Sequence, residues 1–434
     1  MNDHSAFERV LILGDPRLVP TSLWPMSHKW FAAARVEEVQ GCLLPLQAGL
    51  QLRFPEEFNI DAYMDQRELL IEWASGIAAS HGAFDRIIAP TEYTIEIGAL
   101  LREALGVPGW MPGEAERVRN KGVMKARMRA ANVHTADFID LATVSDLSEI
   151  RRWADGRPGR IVLKPKTQAG SRGVRVVDDG EALAACLDSM SGEVRLQHLV
   201  EDFMPWPLLH IDGLVRDGEL LFLAGARYLD PCLSWLADGR AMGSVLLTDK
   251  PSLQRVTDFA HEVVEAMQLR DMVFHLEAFD DGNTLHFLEI AGRPGGAAIV
   301  PHLRSQYGVD LQEEMIRCDL GLLPGSDAQG QLAADAVSTP RSGGWIATPM
   351  PTGDPCRVVG MRGLDDLPGS VFDADLPRIG STFNLRGDEG LASGRFHVRT
   401  QSETQSEEAL RAIADRYALL VSTPDGDSNS GAPE

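Results

Sequence analysis

Two glutamates twelve residues apart, Glu277 and Glu289, stand in apolar runs on either side of a DDGN turn, within FHLEAFDDGNTLHFLEIAGRPGG at 274–296. The pattern predicts a hairpin whose two strands present both carboxylates on one face, where Mg²⁺ finds the hard oxygen ligands it prefers. The competing reading is a pair of solvent-facing glutamates on an edge hairpin. Phe274, Leu276, Phe287 and Leu288 argue instead for a largely buried segment. Arg293 follows Glu289 by four residues and opens a loop, RPGG, so its guanidinium is expected beside the same carboxylates. There a rigid fork suits a transferring phosphoryl group or a substrate carboxylate, with a salt bridge to one glutamate as the alternative. His275 is expected on the face of Glu277, two residues on, as a substrate contact or a satisfied core histidine.

A second constellation is KPKTQAGSRGV at 164–174. Two β-rich runs flank a loop in which Gly170, Ser171 and Gly173 let backbone N–H groups approach phosphate oxygens, and Lys164 supplies a charge at the strand end. It is not a Walker sequence, and taken alone the loop reads first as a tight polar hairpin of no function.

The elements that must position these groups follow from periodicity. RVLILG at 9–14 reads as a buried strand, 63–80 and 92–105 as helices, and 86–89 as a strand, which together imply a small parallel α/β sheet. Residues 114–132 are basic and helical in composition. Strands are expected at 161–163, 174–177, 209–215, 220–224, 273–278 and 285–290, making a mostly antiparallel α+β region, and 406–420 reads as a helix. The division expected is an N-terminal α/β domain at 1–113, lobes at 114–200 and 201–330, a C-terminal subdomain at 331–421 and a disordered tail at 422–434.

Composition bounds the partners. A chain of 434 residues exceeds a single core, and 44% hydrophobic with 24% charged residues is ordinary for a soluble protein. No apolar run approaches the roughly 20 residues that span a bilayer, and the opening MNDHSAFERVLILGD reads as neither a secretory nor a transit peptide. A net charge of −22 disfavours nucleic acid and anionic membranes, while a local cation cluster can still hold a nucleotide. Cys42, Cys186, Cys232, Cys318 and Cys356 are widely spaced and imply reduced thiols in the cytoplasm.

In order along residues 9–420, these pieces resemble the ATP-grasp superfamily, and within it the carboxylate–amine ligases of the bacterial L-amino acid ligase type. The narrower likeness is carried by His275-x-Glu277, EIAGRPGG and the turn Pro351 to Asp354. The resemblance implies an N-terminal Rossmann-like domain, a two-lobed nucleotide-binding region and a C-terminal extension. It implies ATP and Mg²⁺ as cofactors, with two ions or Mn²⁺ as variants, and small-molecule carboxylate and amine substrates joined through an acyl phosphate. A homodimer is implied as well. RNKGVMKARMRAANV places the first ATP-contacting lysine on Lys121, and IVLKPKTQAGSRGV the second on Lys164 with loop contacts at Gly170, Ser171 and Gly173. QHLVEDFMPWPLLHIDGLV places the adenine-reading hinge on Glu201, Asp202, Phe203 and Met204, and Glu277, Glu289 and Arg293 match the metal carboxylates and catalytic arginine. Two positions depart from the pattern: Ala291 stands where an asparagine ligand is usual, and Leu208 where a ribose-binding glutamate is common. Purine-pathway ligases share the lysine and metal positions, as do biotin carboxylases, which carry a longer glycine-rich loop than AGSRG. Two further functions compete with the ligase, a phosphotransferase and a non-catalytic nucleotide-binding regulator.

Overall fold

A computed structural model describes residues 9–23, 29–33, 64, 66–157, 159–325, 341–351, 355–383 and 392–422. The expected tail beyond residue 422, most of the turn Pro351 to Asp354, and Cys42 lie outside the described residues.

The first unit is a three-stranded parallel sheet in which β1 (Arg9–Leu13) lies between β2 (Lys29–Ala33) and β3 (Arg86–Ile88). A central parallel strand is covered on both faces, which is why β1 is a continuous apolar run. Helices α1 (Arg67–His81) and α2 (Ile95–Leu105) follow, the latter stopped by Gly106 in the left-handed conformation at φ 67°. The basic stretch expected as one helix is two, α3 (Pro112–Arg117) and α4 (Lys121–Ala130). Asn120 adopts extended backbone and its side chain accepts from the N–H groups of Gly122 and Val123, so it caps a new helix and makes Lys121 its first residue.

The next segment holds β4 (Phe138–Asp140), α5 (Leu147–Asp155), β5 (Ile161–Pro165), β6 (Arg175–Val177), α6 (Gly180–Asp188), α7 (Gly192–Leu196) and β7 (His198–Asp202). Its antiparallel sheet has the order β4-β7-β5-β6, so Lys164 on β5 lies beside β7.

The largest sheet has eight strands. It draws on β8 (Leu208–Arg216), β9 (Glu219–Tyr228), β10 (Met242–Leu246), β11 (Met272–Asp280) and β12 (Leu285–Ala291), with α8 (Leu233–Asp238) and α9 (Lys250–Met267) between strands and α10 (Ile299–Tyr307) and α11 (Leu311–Leu320) after them. Then come β13 (Gly343–Pro349), β14 (Cys356–Arg362), β15 (Val371–Asp375), β16 (Thr382–Phe383), β17 (Ala392–Arg399), α12 (Glu403–Arg416) and β18 (Ala418–Ser422). The order β12-β11-β8-β9-β10-β13-β17-β15 carries the sheet past residue 331, while β14 pairs with β16 and β18 in a small separate sheet. The helix expected over 406–420 therefore ends at Arg416, because the apolar run after it joins β14 as a strand.

Alternation explains the burial of both faces. On β8, Leu209 and Ile211 enter the core cluster that α9 covers with Val256, Phe259 and Val263, and on β11 Phe274 and Leu276 join it. The intervening His210, Asp212 and His275 point to the opposite face and are buried there. That face is packed by Ile299, Leu303 and Tyr307 of α10 at one end.

Gly213 lies opposite Phe274 in the ladder, and a Cβ there would meet the buried Phe274 ring and come 2.9 Å from the Phe222 carbonyl oxygen. Gly213→Ala is expected to destabilise the fold by about 1–3 kcal/mol through overpacking. Adding Phe274→Leu should recover part of the loss. Urea titration of both variants checks this, and a single variant as stable as the parent contradicts it.

Candidate functional site

Glu277 and Glu289 are direct cross-strand partners on β11 and β12. A regular ladder continued from the turn would pair Glu277 with Leu288, since Ala278 pairs with Phe287; a β-bulge at this point brings Glu289 opposite instead. The Tyr228 hydroxyl donates to Glu277 at 3.1 Å, and His275 Nε2 lies 3.6 Å from the same carboxylate. Burial works against the charged form of Glu277, yet His275 and Tyr228 hold its pKa below the ordinary value. Glu289 faces the Lys121 ammonium at 3.2 Å with its side chain 32% exposed, so it is open to the cleft.

His275 is part of a buried chain of polar groups. Its Nδ1 lies 2.8 Å from one oxygen of Asp212, whose other oxygen lies 2.6 Å from His210 Nδ1, and His210 Nε2 meets the Ser244 hydroxyl at 2.8 Å. Burial opposes an imidazolium, but Asp212 and Glu277 raise His275 to about 10, while the two histidines hold Asp212 well below the carboxylate range. Each Asp212 oxygen is occupied by a histidine, so the group is satisfied as a hydrogen-bonded network without an ion.

The lysines form a second buried cluster. Glu201 on β7 takes Lys164 at 2.5 Å and Lys125 at 2.8 Å, and Lys125 donates to Thr135 Oγ1 at 2.9 Å. Burial, with Lys164 adding to it and Glu201 opposing, brings the fully buried Lys125 down to about 8. The family resemblance places Glu201 in a hinge whose backbone reads adenine, and its carboxylate neutralises two lysines. The Asp202 and Phe203 N–H groups donate to the carbonyls of Asp137 and Arg160, both at 3.0 Å, so neither amide is available to a base.

The loop after β5 carries three residues with left-handed backbone. Gly170, Ser171 and Gly173 have φ of 62°, 61° and 71°, and a Cβ on Gly173 would sit 2.8 Å from Pro165 Cγ. Lys121 donates to the Gln168 carbonyl at 2.7 Å, and Arg119 to that of Thr167 at 2.6 Å. Arg293 does not pair with Glu277 or Glu289. Its Nε donates to Glu92 of the N-terminal unit at 2.6 Å, and Arg119 binds the other Glu92 oxygen. Burial would raise Glu92, but Arg293, Arg119 and Lys121 hold it at about 2. The reason is chain geometry: the turn after β12 carries Arg293 toward the segment between β3 and α2, where a buried carboxylate awaits a partner.

Two cavities meet at the carboxylate pair. One, of about 470 Å³, is lined by Lys121, Lys164, Phe203, Met204, Leu208 and Phe287 among others, and the second, of about 300 Å³, by His275, Arg293, Gly170 and Ile299 among others. Glu277, Glu289, Ser171 and Arg172 line both. No protein-family model matches the chain. It is 27% identical over 353 residues, 78% of this chain and 80% of the relative, to an L-arginine-specific L-amino acid ligase of Bacillus subtilis. It also superposes on the crystal structure of an L-amino acid ligase from Bacillus licheniformis with a TM-score of 0.69 at 16% identity, covering 95% of this chain and 98% of that one. The chain has the ATP-grasp fold. A further ATP-grasp structure, the biotin carboxylase domain of the Hydrogenobacter thermophilus 2-oxoglutarate carboxylase with MgADP and bicarbonate, aligns with a TM-score of 0.67 at 16% identity, covering 96% of this chain and 92% of that one.

The ATP-grasp cleft thus gathers Lys121, Lys164, the 170–173 loop, Glu277, Glu289, His275 and Arg293. Its donor set fits a Mg-nucleotide: cations and small-residue backbone for phosphate, two carboxylates for a hard cation, and apolar walls at Phe203, Met204 and Phe287 for a base. Sequence reasoning missed Lys125, Glu92, Arg119, Asp212 and Tyr228. Only Lys125 had a readable signal, one helical turn after Lys121.

Glu201→Gln leaves Lys125 and Lys164 without their shared anion and is expected to remove about 3–5 kcal/mol of stability near pH 7. The unfolded chain keeps the Lys125 proton up to about 10.5, whereas the folded chain releases it at about 8. Folding therefore sheds a proton in that window, and stability rises with pH there. Without Glu201 the folded pKa falls further, so the rise should begin at lower pH in the variant. Denaturant midpoints from pH 7 to 10 test this, and parallel curves of equal stability would overturn it.

Proposed function

We propose that the chain is an ATP-dependent carboxylate–amine ligase with an amino acid as one substrate. The observation that supports it most is the meeting of a nucleotide-sized cavity and a second cavity at Glu277 and Glu289. A substrate carboxylate oxygen attacks the γ-phosphorus of ATP, the bond to the β-phosphate oxygen breaks to release ADP, and an acyl phosphate results. An amine then forms the amide bond as phosphate leaves. Glu277 and Glu289 would hold Mg²⁺, which when bound would supply positive charge against that developing on the transferring group.

In this reading Lys121 and Lys164 face the phosphates, where nucleotide binding would draw Lys121 from Glu289. The loop with Gly170, Ser171 and Gly173 covers them and excludes water, which would otherwise hydrolyse the acyl phosphate. Residues 201–204 flank the adenine, with reading left to carbonyls and Met204 rather than the occupied amides of Asp202 and Phe203. His275, fixed by Asp212, orients Glu277 and faces the substrate. Arg293 is held by Glu92 and stabilises the developing charge. The cleft lies between lobes at 114–200 and 201–330, with an N-terminal domain at 1–113 and a C-terminal subdomain at 331–421. Mn²⁺, which also favours carboxylate ligands, would substitute for Mg²⁺. A cytoplasmic setting is favoured by Cys186, Cys232 and Cys318, which form no disulfide. No helix among the described residues is long and apolar enough to cross a membrane. A homodimer is proposed by analogy with the carboxylase domain described as a dimer.

Screening the purified protein with ATP, Mg²⁺ and pairs of amino acids for ADP and phosphate tests the proposal. ADP without coupled phosphate would indicate a phosphotransferase. Bound nucleotide with no ADP in any mixture would support the regulator reading that Ala291 and Leu208 suggest.

Glu289→Gln should lose tenfold or more in Mg²⁺-dependent turnover, about 1.4 kcal/mol or above, because an amide is a poor ligand for a hard cation. Its partly exposed position should leave stability within about 0.5 kcal/mol of the parent. Equal Mg²⁺ titrations for variant and parent would remove Glu289 from the site. Glu92→Gln should lower kcat more than it raises the KM for ATP, since it loosens Arg293 directly and the 167–173 loop only through Arg119; a change in KM alone would contradict a positioning role.

A further inference from the structure

We propose that the second cavity selects a carboxylate substrate with an apolar, branched or aromatic side chain and rejects a cationic one, an inference that rests on the ligase reading above. The large sheet sets the cavity's far wall. Met242 on β10 pairs with Ala347 on β13, and Ala347 with Arg395 on β17, so the three lie in one row across neighbouring strands. Trp345, two residues from Ala347, shares that face of β13. Trp235 of α8 and Ile299 of α10 complete an apolar lining around them.

Charge decides what this lining accepts. Among the described residues, the acidic groups on the cavity are Glu277 and Glu289, which the proposed reaction assigns to Mg²⁺. The remaining charged groups are the guanidiniums of Arg172, Arg293 and Arg395, the last two paired with Glu92 and Asp375. A guanidinium or ammonium side chain placed here would leave water for an apolar wall and for like charges, without an anion to meet it. An apolar side chain meets no such penalty and removes its surface from water against Trp235, Met242 and Trp345. The cations suit the carboxylate that every such substrate carries. The cavity, about 300 Å³, is also of a size for a small molecule rather than a peptide chain. The Bacillus subtilis relative is named for arginine, so the proposal expects a different preference for the present chain.

The test has two arms on the full chain. In the first, ADP release with Mg²⁺ATP is measured for leucine, phenylalanine, arginine and glutamate, each with a fixed amine partner. Leucine or phenylalanine should exceed arginine at least tenfold in kcat/KM, and Met242→Glu should narrow or invert that ratio while the KM for ATP holds. Preference for arginine or glutamate in the parent, or an unchanged ratio in the variant, overturns the proposal. In the second arm, calorimetry follows the same four amino acids binding to the parent protein with ADP and Mg²⁺. Tighter binding of leucine or phenylalanine supports the inference even where no turnover occurs, and tighter binding of arginine or glutamate refutes it even where Met242→Glu does not fold. Absence of ADP from every mixture would count against the ligase reading, which the binding arm does not require.

Discussion

Lys121, Lys125, Lys164, Arg119 and Arg293 converge on one cleft, and the rest of the architecture answers the need to hold like charges together away from water. Isolated, the lysines would lose their protons and the arginines would draw water into the cleft. Glu201 resolves the problem for Lys125 and Lys164, Glu92 for Arg119 and Arg293, and Glu289 for Lys121. The three differ in burial. Glu201 and Glu92 are enclosed and serve the fold, whereas Glu289 is open and can change partner. Under the proposed reaction, a site that accepts a polyanion and a divalent cation needs this inequality: fixed counter-charges keep the cations in place, and one exchangeable pair would let the ligands in.

The sheet meets the same constraint through geometry. Strand alternation sends Phe274 and Leu276 to the α9 core while His275 and Glu277 go to the cleft, so the packing that stabilises the sheet also fixes the carboxylate. The bulge on β12 then sets Glu289 opposite Glu277. A side chain placed by ladder hydrogen bonds on both flanks of its strand moves little, which suits a ligand whose use depends on position.

What was legible in the sequence was whatever depends on local pattern. The hairpin at 272–291, the turn with Gly170 and Gly173, and the buried β1 follow from alternation and small residues, and all three form. The α3–α4 break was missed because helix-favouring residues run across it, and the Asn120 side chain, competing for backbone N–H groups, divides it. The run after Arg416 became a strand because β14, far away in sequence, offered an edge. Arg293 lines one cavity with Glu277 and Glu289, as its closeness in sequence implies, but its ion-pair partner Glu92 was not legible for the same reason, being near only in space. Long-range pairing has no periodicity to read.

The same long-range contacts make the N-terminal unit part of the site. Arg119 holds Glu92 with one nitrogen and the Thr167 carbonyl with another, and Lys121 holds Gln168 and Glu289. Arg172 at the loop's far side reaches the Tyr93 hydroxyl at 3.4 Å, next to Glu92. A loop that swings away from the cleft must therefore give up the Thr167, Gln168 and Tyr93 contacts together. Arg119, once released from Thr167, leans on Glu92 and, at 3.4 Å, on Glu96, and Glu92 also holds Arg293. Loop position and the orientation of Arg293 are thus tied through a single carboxylate. In the proposed reaction Arg293 would then be set most firmly when the loop is down over the phosphates, which is when water would be excluded and an acyl phosphate safe to form.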